Sequence, residues 1–305
     1  MILSLLLSSF LTFVELNCEN LFDTTHDVGK EDSEFLPEGK RHWTRTRYWG
    51  KLNRIGQEIL SCSSCLPDIV ALVEVENDSV LHQLTRRSLL RNAGYEYLMT
   101  TSPDVRGLDV ALLFQPASFR PLCYESIEVP VLPGMRPTRD VLYVQGQIIT
   151  GDTLHIYVVH APSRYGGERE TRSYRMKVAQ MISQQVQLCH QENVIITGDF
   201  NDYIDNASLK YLEEFSLVNV TKNSQGKNGY AKGTYRYHGE WRSLDHFFCS
   251  EKVANRVEQT YINDEAFLLD EDTRFGGKRP LRSFNGVRFQ KGFSDHLPLI
   301  VKFKF

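Results

Sequence analysis

An α/β fold is predicted by two features that recur along the chain. Short runs of apolar and β-branched residues, stopped by Gly, Pro, Asn or Asp, read as buried strands. Between several of them lie longer stretches with apolar residues at helical spacing. The clearest strand is in Val194–Asp202, VIITGDFND, where the apolar run meets Gly198 and the polar residues come at its C-terminal end. Residues i and i+2 of a strand share a face, so Asp199 and Asn201 are expected to project together with Phe200 packed behind them. One acceptor beside one neutral donor suits activation of water next to an oxyanion. The competing reading is a plain turn, for which Gly, Asp and Asn are the commonest residues.

The first fourteen residues, MILSLLLSSFLTFV, are apolar. Their length suits a signal-peptide core and is too short for a membrane span, but no basic n-region precedes them. Two readings stay open: residues 1–10 are a remnant export signal, or they lead into the first strand, and the compartment (cytoplasmic or exported) is unassigned. Leu11 to Asn20 is strand-like, with Asn17 where an apolar residue is expected. Thr24 to Trp49 is polar; its Lys40, Arg41, His42, Trp43, Arg45 and Arg47 interleave basic and aromatic residues, as a phosphate groove or a solvated loop would. Tyr48 to Leu60 has Leu52, Ile55, Ile59 and Leu60 on one side and predicts a helix covering a sheet.

Ile69 to Val75 is then a buried strand with one charge, Glu74. A buried carboxylate needs a partner or a cation, which makes Glu74 the best metal-ligand candidate, with Glu76 solvated at the strand end. Asn77-Asp78-Ser79 caps a helix running towards Asn92. Tyr95 to Met99 and Asp109 to Phe114 form a strand pair turned by Arg106-Gly107. Ser126 to Val131 and Val141 to Ile149 continue the strands, separated by PGMRPTRD with Arg136 and Arg139; Arg139 is a substrate-contact candidate or an ion-pair partner of Asp140. Leu154 to Val159 delivers His160 and a Gly-rich loop carrying Arg164. Glu168 to Gln191 is a long amphipathic helix with Arg169, Arg172 and Arg175 in its first turns. Ser208 to Phe215 is a short helix, Asn219 to Gly233 a polar loop, and Thr234 to Cys249 a hairpin interrupted by Asp245. Glu271 to Asn285 is irregular and basic, and Leu299 to Phe305 is the last strand, preceded by Asp295-His296.

Composition narrows the function. With 41% hydrophobic and 24% charged residues the chain of 305 has ample material for a core and is not disordered. A formal net charge of −3 offers no global attraction for polyanions, so affinity for phosphate must come from a local basic patch or a metal. The six cysteines are too dispersed for a disulfide scaffold; Cys62-Ser-Ser-Cys65 has CxxC spacing without partners for zinc, leaving buried thiols or, as the minority case, a bridge.

The ordered segments LNCEN, PDIVALVE, VVHAPSRYGG, TGDFN, WRSLDHFF and FSDHLPL resemble the endonuclease/exonuclease/phosphatase superfamily, which includes deoxyribonucleases, abasic-site endonucleases, inositol-polyphosphate phosphatases and neutral sphingomyelinases. The resemblance spans residues 11–305 and implies one domain, a four-layered α/β sandwich of two packed, mostly antiparallel sheets flanked by helices. It also implies a metal-dependent phosphoesterase that cleaves phosphodiesters. Asn17, Glu74 and Asp295 would offer oxygen ligands to Mg²⁺ or Mn²⁺, which keeps several waters. Asp199 would orient or deprotonate water while Asn201 donates to the phosphoryl oxygens. His296, held by Asp245, would sit across the phosphate, and His160 would protonate the leaving oxygen. Arg164, Asn20, Asp109 and Arg139 are the substrate-binding candidates. The VVHAPSRYGG block is most like deoxyribonuclease-type members, so nucleic acid is the expected substrate and a monomer the expected state. A phosphatase or phosphodiesterase for inositol, sugar or lipid phosphates is the second reading, and a non-catalytic binding module of the same fold the third.

Overall fold

The computed structural model describes residues 10–188 and 191–305. Its strands in chain order are β1 (Phe10–Leu21), β2 (Ile69–Val75), β3 (Glu96–Met99), β4 (Asp109–Phe114), β5 (Phe119–Ile127), β6 (Val141–Ile148), β7 (Thr153–His160), β8 (Val194–Asp199), β9 (Leu217–Asn219), β10 (Tyr235–Tyr237), β11 (Glu240–Arg242), β12 (Asp245–Ser250), β13 (Val257–Ile262), β14 (Leu269–Glu271), β15 (Lys278–Pro280), β16 (Phe284–Asn285), β17 (Arg288–Phe289) and β18 (Leu299–Lys304). The helices are α1 (Arg45–Ser61), α2 (Asp78–Arg87), α3 (Glu168–Leu188), α4 (Ala207–Glu214) and α5 (Glu251–Ala254).

Two six-stranded sheets, ordered β13-β18-β1-β2-β4-β3 and β5-β6-β7-β8-β12-β9, carry the fold. Among the described residues only β1/β2 and β7/β8 pair in parallel within these sheets; the other pairings are antiparallel. The sheets face each other across a core of alternate strand residues, among them Phe13, Ala71, Val73, Leu112, Val144, Val158, Ile195 and Phe247. The opposite face of the first sheet is covered by Leu52, Ile55 and Ile59 of α1 and Leu81 and Leu84 of α2. The outer face of the second takes Val178 and Ile182 of α3 and Leu209 and Leu212 of α4. This is the expected four-layered sandwich, each strand's period-2 alternation serving one layer on each side.

Several local expectations change. The second helix stops at Arg87 and a 3-10 turn, Leu89–Asn92, follows, because the Ser88 hydroxyl takes the Leu90 N–H instead of letting the helix continue. The strand expected at Ser126 to Val131 lies earlier, as β5. The hairpin expected over Thr234 to Cys249 ends at Arg242; β12 leaves it to pair with β8 and β9 in the second sheet. The segment expected to be irregular folds into short ribbons, β14/β15 and β16/β17. Cys62 and Cys65 are both free, as are Cys18, Cys123 and Cys249, while Cys189 lies outside the described residues. Of the apolar start, Phe10 to Val14 belong to β1 and residues 1–9 lie outside the described residues.

Candidate active site

Three neighbouring strands of the second sheet end level with one another. Asp199, last in β8, is the register partner of His160 on β7 and of Asp245 on β12. Gly198 makes this possible: with φ of 139°, its Cβ position would fall 1.9 Å from the Val159 carbonyl oxygen. A side chain there would push β7 away and with it His160. From the first sheet, the ends of β1 and β2 bring Asn17, Asn20 and Glu74 to the same place, and the turn before β18 brings Asp295 and His296. These groups, except buried Asp245, line one cavity of about 550 Å³, together with Asn201, Arg106, Arg164, Tyr203 and Tyr235.

The cavity residues are held by strained backbone. Asn20, Glu74 and Asn201 have φ of 55°, 63° and 51°, a region that costs non-glycine residues free energy unless their surroundings fix them. Asn201 therefore reaches the cavity by a left-handed residue after the strand has ended, not by the expected continuation of alternation. Its N–H donates to Asp199 Oδ1 at 2.8 Å, and Nδ2 donates to the Ala161 carbonyl at 3.0 Å. One amide hydrogen is left for a ligand. The bend at Glu74 likewise shifts the β2 register between Val73 and Val75. Val75 takes the inward position, Glu74 turns into the cavity and is partly exposed, and Glu76, expected in solvent, is buried and accepts from the Asp23 N–H at 2.6 Å. Burial pushes the Glu76 carboxyl up to about 9.

The electrostatics set two histidines apart. Burial alone would lower the imidazole of His296, but Asp245, at 2.7 Å from Nδ1, together with Asp199 and Asp295, overrides it and holds His296 well above its ordinary range. Burial, reinforced by Arg139, Arg106 and His296, pushes His160 well below it. At neutral pH His296 is thus the charged imidazole and His160 the neutral one. That is the reverse of the assignment of the leaving-group proton to His160. His160 Nε2 sits 3.8 Å from both Glu74 Oε1 and Asp199 Oδ2. Burial, opposed by His296, pushes Asp199 up to about 7. Asn17 Nδ2 donates to Asp199 Oδ2 at 3.1 Å, and His296 Nε2 is 4.0 Å from the same oxygen.

Two groups of residues have donors suited to a divalent ion. Asp199, Asp245 and His296 place ligand atoms within 4.8 Å of one another. Asp245 Oδ2 is spent on His296 Nδ1, both Asp199 oxygens accept from outside the trio, from the Asn201 N–H and from Asn17 Nδ2, and a protonated His296 has no lone pair to offer an ion. Glu74, Asn17 and Asp295 fit a hard cation better. Glu74 Oε2 accepts from the Asn20 N–H at 2.7 Å, whereas its Oε1 has no hydrogen-bond partner among the described residues and lies 3.8 Å from His160 Nε2. Asp295 spends Oδ2 on Arg282 at 2.7 Å and faces the cavity. Few protein oxygens and a wet cavity are what Mg²⁺ requires.

Other candidates lie elsewhere. Asp109 is buried and accepts from the Thr100 and Ser102 hydroxyls at 2.6 and 2.5 Å and from the Ser102 N–H at 3.1 Å; it tethers a loop and does not line the cavity. Arg139 is buried too, pairing with Asp104 at 3.2 Å and not with Asp140. It donates to the same Ala161 carbonyl that holds Asn201, at 3.2 Å. Arg164 does line the cavity, 4.6 Å over the Tyr203 ring and 3.2 Å from Asn206 Oδ1. The basic-aromatic run does not reach the catalytic cavity: Trp43 is buried, Arg41 lies over Phe35 and Phe284, and Arg45 and Arg47 line two other pockets. Arg175 of α3 is buried on Asp202 at 2.7 Å. Sequence reasoning missed Arg106, read only as part of a turn, and Tyr235, whose ring lies tilted by 39° against His296 with centroids 4.9 Å apart.

Fold and cavity together define a hydrolase of the α/β-sandwich phosphoesterase class. Residues 12–304 match the Endonuclease/Exonuclease/phosphatase family, and the chain belongs to it. No curated protein matches the sequence. Among solved structures, an endonuclease/exonuclease/phosphatase family protein from Bacteroides thetaiotaomicron is 16% identical with a TM-score of 0.66, covering 98% of each chain. A mannosyl-6-phosphatase of the same organism is 15% identical, TM-score 0.59, covering 95% of this chain and 98% of its own. D. rerio TDP2 complexed with a single-strand DNA product is 16% identical, TM-score 0.59, covering 97% and 100%. At these identities the likeness establishes the fold alone.

Proposed function

We propose that this protein is a metal-dependent phosphodiesterase of nuclease type. The observation that carries the reading is Asp199 flanked in register by His160 and Asp245, with the charged His296 across the same cavity from the open oxygen of Glu74. Glu74, Asn17 and Asp295 would hold Mg²⁺ or Mn²⁺, which when bound neutralises phosphoryl oxygens and helps ionise water. Asp199, near its own midpoint at neutral pH, takes the proton from an attacking water. The free Asn201 amide hydrogen and the His296 imidazolium donate to the oxygens on which charge develops. His296 then gives its proton to the departing oxygen, and Asp245 keeps the ring turned and charged. His160, neutral, fixes the spacing of Glu74 and Asp199. Arg106 supplies local positive charge that the −3 chain lacks overall, and Arg164 adds a guanidinium partly offset by Asp202 at 3.6 Å.

Phosphodiesters in nucleic acid are the favoured substrates because the cavity has arginines at its rim. The mannosyl-6-phosphatase among similar folds keeps a sugar phosphate as the second reading. Purified protein with Mg²⁺, set against single-stranded DNA, plasmid, mannose 6-phosphate, an inositol phosphate and sphingomyelin, separates them. Turnover of a phosphomonoester without any diester cleavage overturns the nuclease assignment.

A further inference from the structure

A second cavity, of about 390 Å³, adjoins the catalytic one and shares Tyr235, Tyr237 and Asp295 with it. It lies between the β10/β11 and β14/β15 ribbons, and its walls are built. Arg236, nearly buried, donates to the carbonyls of Gly239 (3.1 Å), Gly276 (2.7 Å) and Lys278 (2.5 Å) and pairs with Asp272 at 3.3 Å, clamping one ribbon to the other. Gly239 has no Cβ to keep Phe275 away; one there would lie 2.8 Å from the Phe275 Cβ.

That clamp assembles three near-parallel rings. Tyr237 and His238 stack at 4.1 Å and 16°, and His238 and Phe275 at 5.8 Å and 20°. Burying rings would be the ordinary way to satisfy them, yet Tyr237 is 58% and Phe275 45% exposed. The Arg274 guanidinium lies 5.0 Å over Phe275 and pairs with no carboxylate among the described residues. Flat exposed rings beside an uncompensated guanidinium match a planar aromatic group attached to a phosphate. A base in a duplex has both faces covered by its neighbours, so this surface suits an unpaired one.

We propose that the second cavity is a nucleotide subsite, seating one unpaired base and its phosphate beside the scissile bond, so that single strands are the preferred substrate. The proposal rests on the phosphodiesterase reading for its place in catalysis, but its binding can be read alone. Fluorescence anisotropy in EDTA compares a labelled single-stranded DNA hexamer with a hexamer of abasic residues, which keeps the phosphates and lacks the bases. Stacking of one base predicts that the wild type binds the base-bearing strand about 5- to 150-fold more tightly. Phe275→Leu, which keeps bulk and loses the ring, abolishes that preference; Arg274→Ala weakens both strands. Equal affinity of the wild type for the two strands, or a preference that survives in Phe275→Leu with an unchanged circular dichroism spectrum, overturns the subsite. In Mg²⁺, the ratio of kcat/KM for the hexamer to that for bis(p-nitrophenyl) phosphate falls in both variants. A wild type that shows the base preference in EDTA but cleaves neither substrate in Mg²⁺ removes the catalytic reading and leaves the subsite.

Discussion

His296 Nδ1 lies 2.7 Å from Asp245 Oδ2, a carboxylate that is fully buried and also takes the Thr234 hydroxyl. This pair is central to how a buried imidazole stays charged: burial lowers it, and Asp245, joined by Asp199 and Asp295, returns more than burial removes. Asp245→Asn should therefore lower the His296 pKa and bring the alkaline limb of kcat/KM to lower pH, with a loss in kcat of about 10²-fold or more, the ordinary worth of an acid–base group. A pH–rate profile of the variant superimposable on that of the wild type argues against the pair.

Asp199→Asn should abolish the acid limb of the pH profile. Burial raises the wild-type carboxyl to about 7, and a base must be ionised, so activity is low below that pH and rises through it. The expected loss in kcat is about 10²- to 10⁴-fold with the fold unchanged by circular dichroism. A loss of activity that follows a loss of ellipticity would return Asp199 to a structural role.

The Glu74 oxygen facing the cavity predicts that EDTA stops turnover and that Mn²⁺ raises the melting temperature of the wild type, since a ligand bound only by the folded state stabilises it. Glu74→Gln should erase most of that rise and weaken Mn²⁺ binding about tenfold or more in calorimetric titration. Unchanged Mn²⁺ affinity in Glu74→Gln removes the metal assignment without reference to activity.

What could be read from the sequence was the logic of strand ends. The apolar run before Asp199 and the polar residues closing β2 and β7 marked buried strands and the side chains that meet in the cavity, while the four-layered sandwich followed from the resemblance of the six ordered segments. Much of the rest depended on partners distant in sequence. Asp109 looked like a cleft acid, and only the fold shows the Thr100 and Ser102 hydroxyls around it. Arg139 looked like a phosphate contact until Asp104, 35 residues away, claimed it. Glu76 was expected in solvent because it stands at the strand end, but the left-handed Glu74 re-aims that end and Glu76 is buried. Periodicity carries no signal for such a backbone turn, nor for two ribbons brought together by Arg236.

Glu58 of α1 offers a test of stability independent of the site. It is fully buried, its oxygens have no hydrogen-bond partner among the described residues, and burial, which outweighs nearby Lys51, pushes it up to about 8. A raised folded pKa means stability that is fully present below the unfolded value, near 4.5, and is lost as pH rises through about 8. The loss is on the order of a few kcal/mol at most. Glu58→Gln cannot ionise, so its melting temperature should gain on that of the wild type between pH 5 and pH 9. A constant difference across that range contradicts the assignment.

The two histidines make a final prediction about the leaving group. An alkoxide departs poorly unless protonated, whereas p-nitrophenolate needs no proton, so the donor is the residue whose loss hurts an alkyl diester more than bis(p-nitrophenyl) phosphate. The charged His296 has a proton to give; His160, kept neutral by burial and by Arg139 and Arg106, does not. His296→Ala should lower cleavage of a dinucleotide about 10²-fold or more beyond its effect on the activated ester. His160→Ala should reduce both substrates by a similar factor, because its ring stands 3.8 Å from both Glu74 and Asp199 and its removal loosens each alike. A selective loss in His160→Ala, with His296→Ala equal on the two substrates, would exchange the roles and show that the anionic substrate, once bound, lifts His160 out of its neutral state.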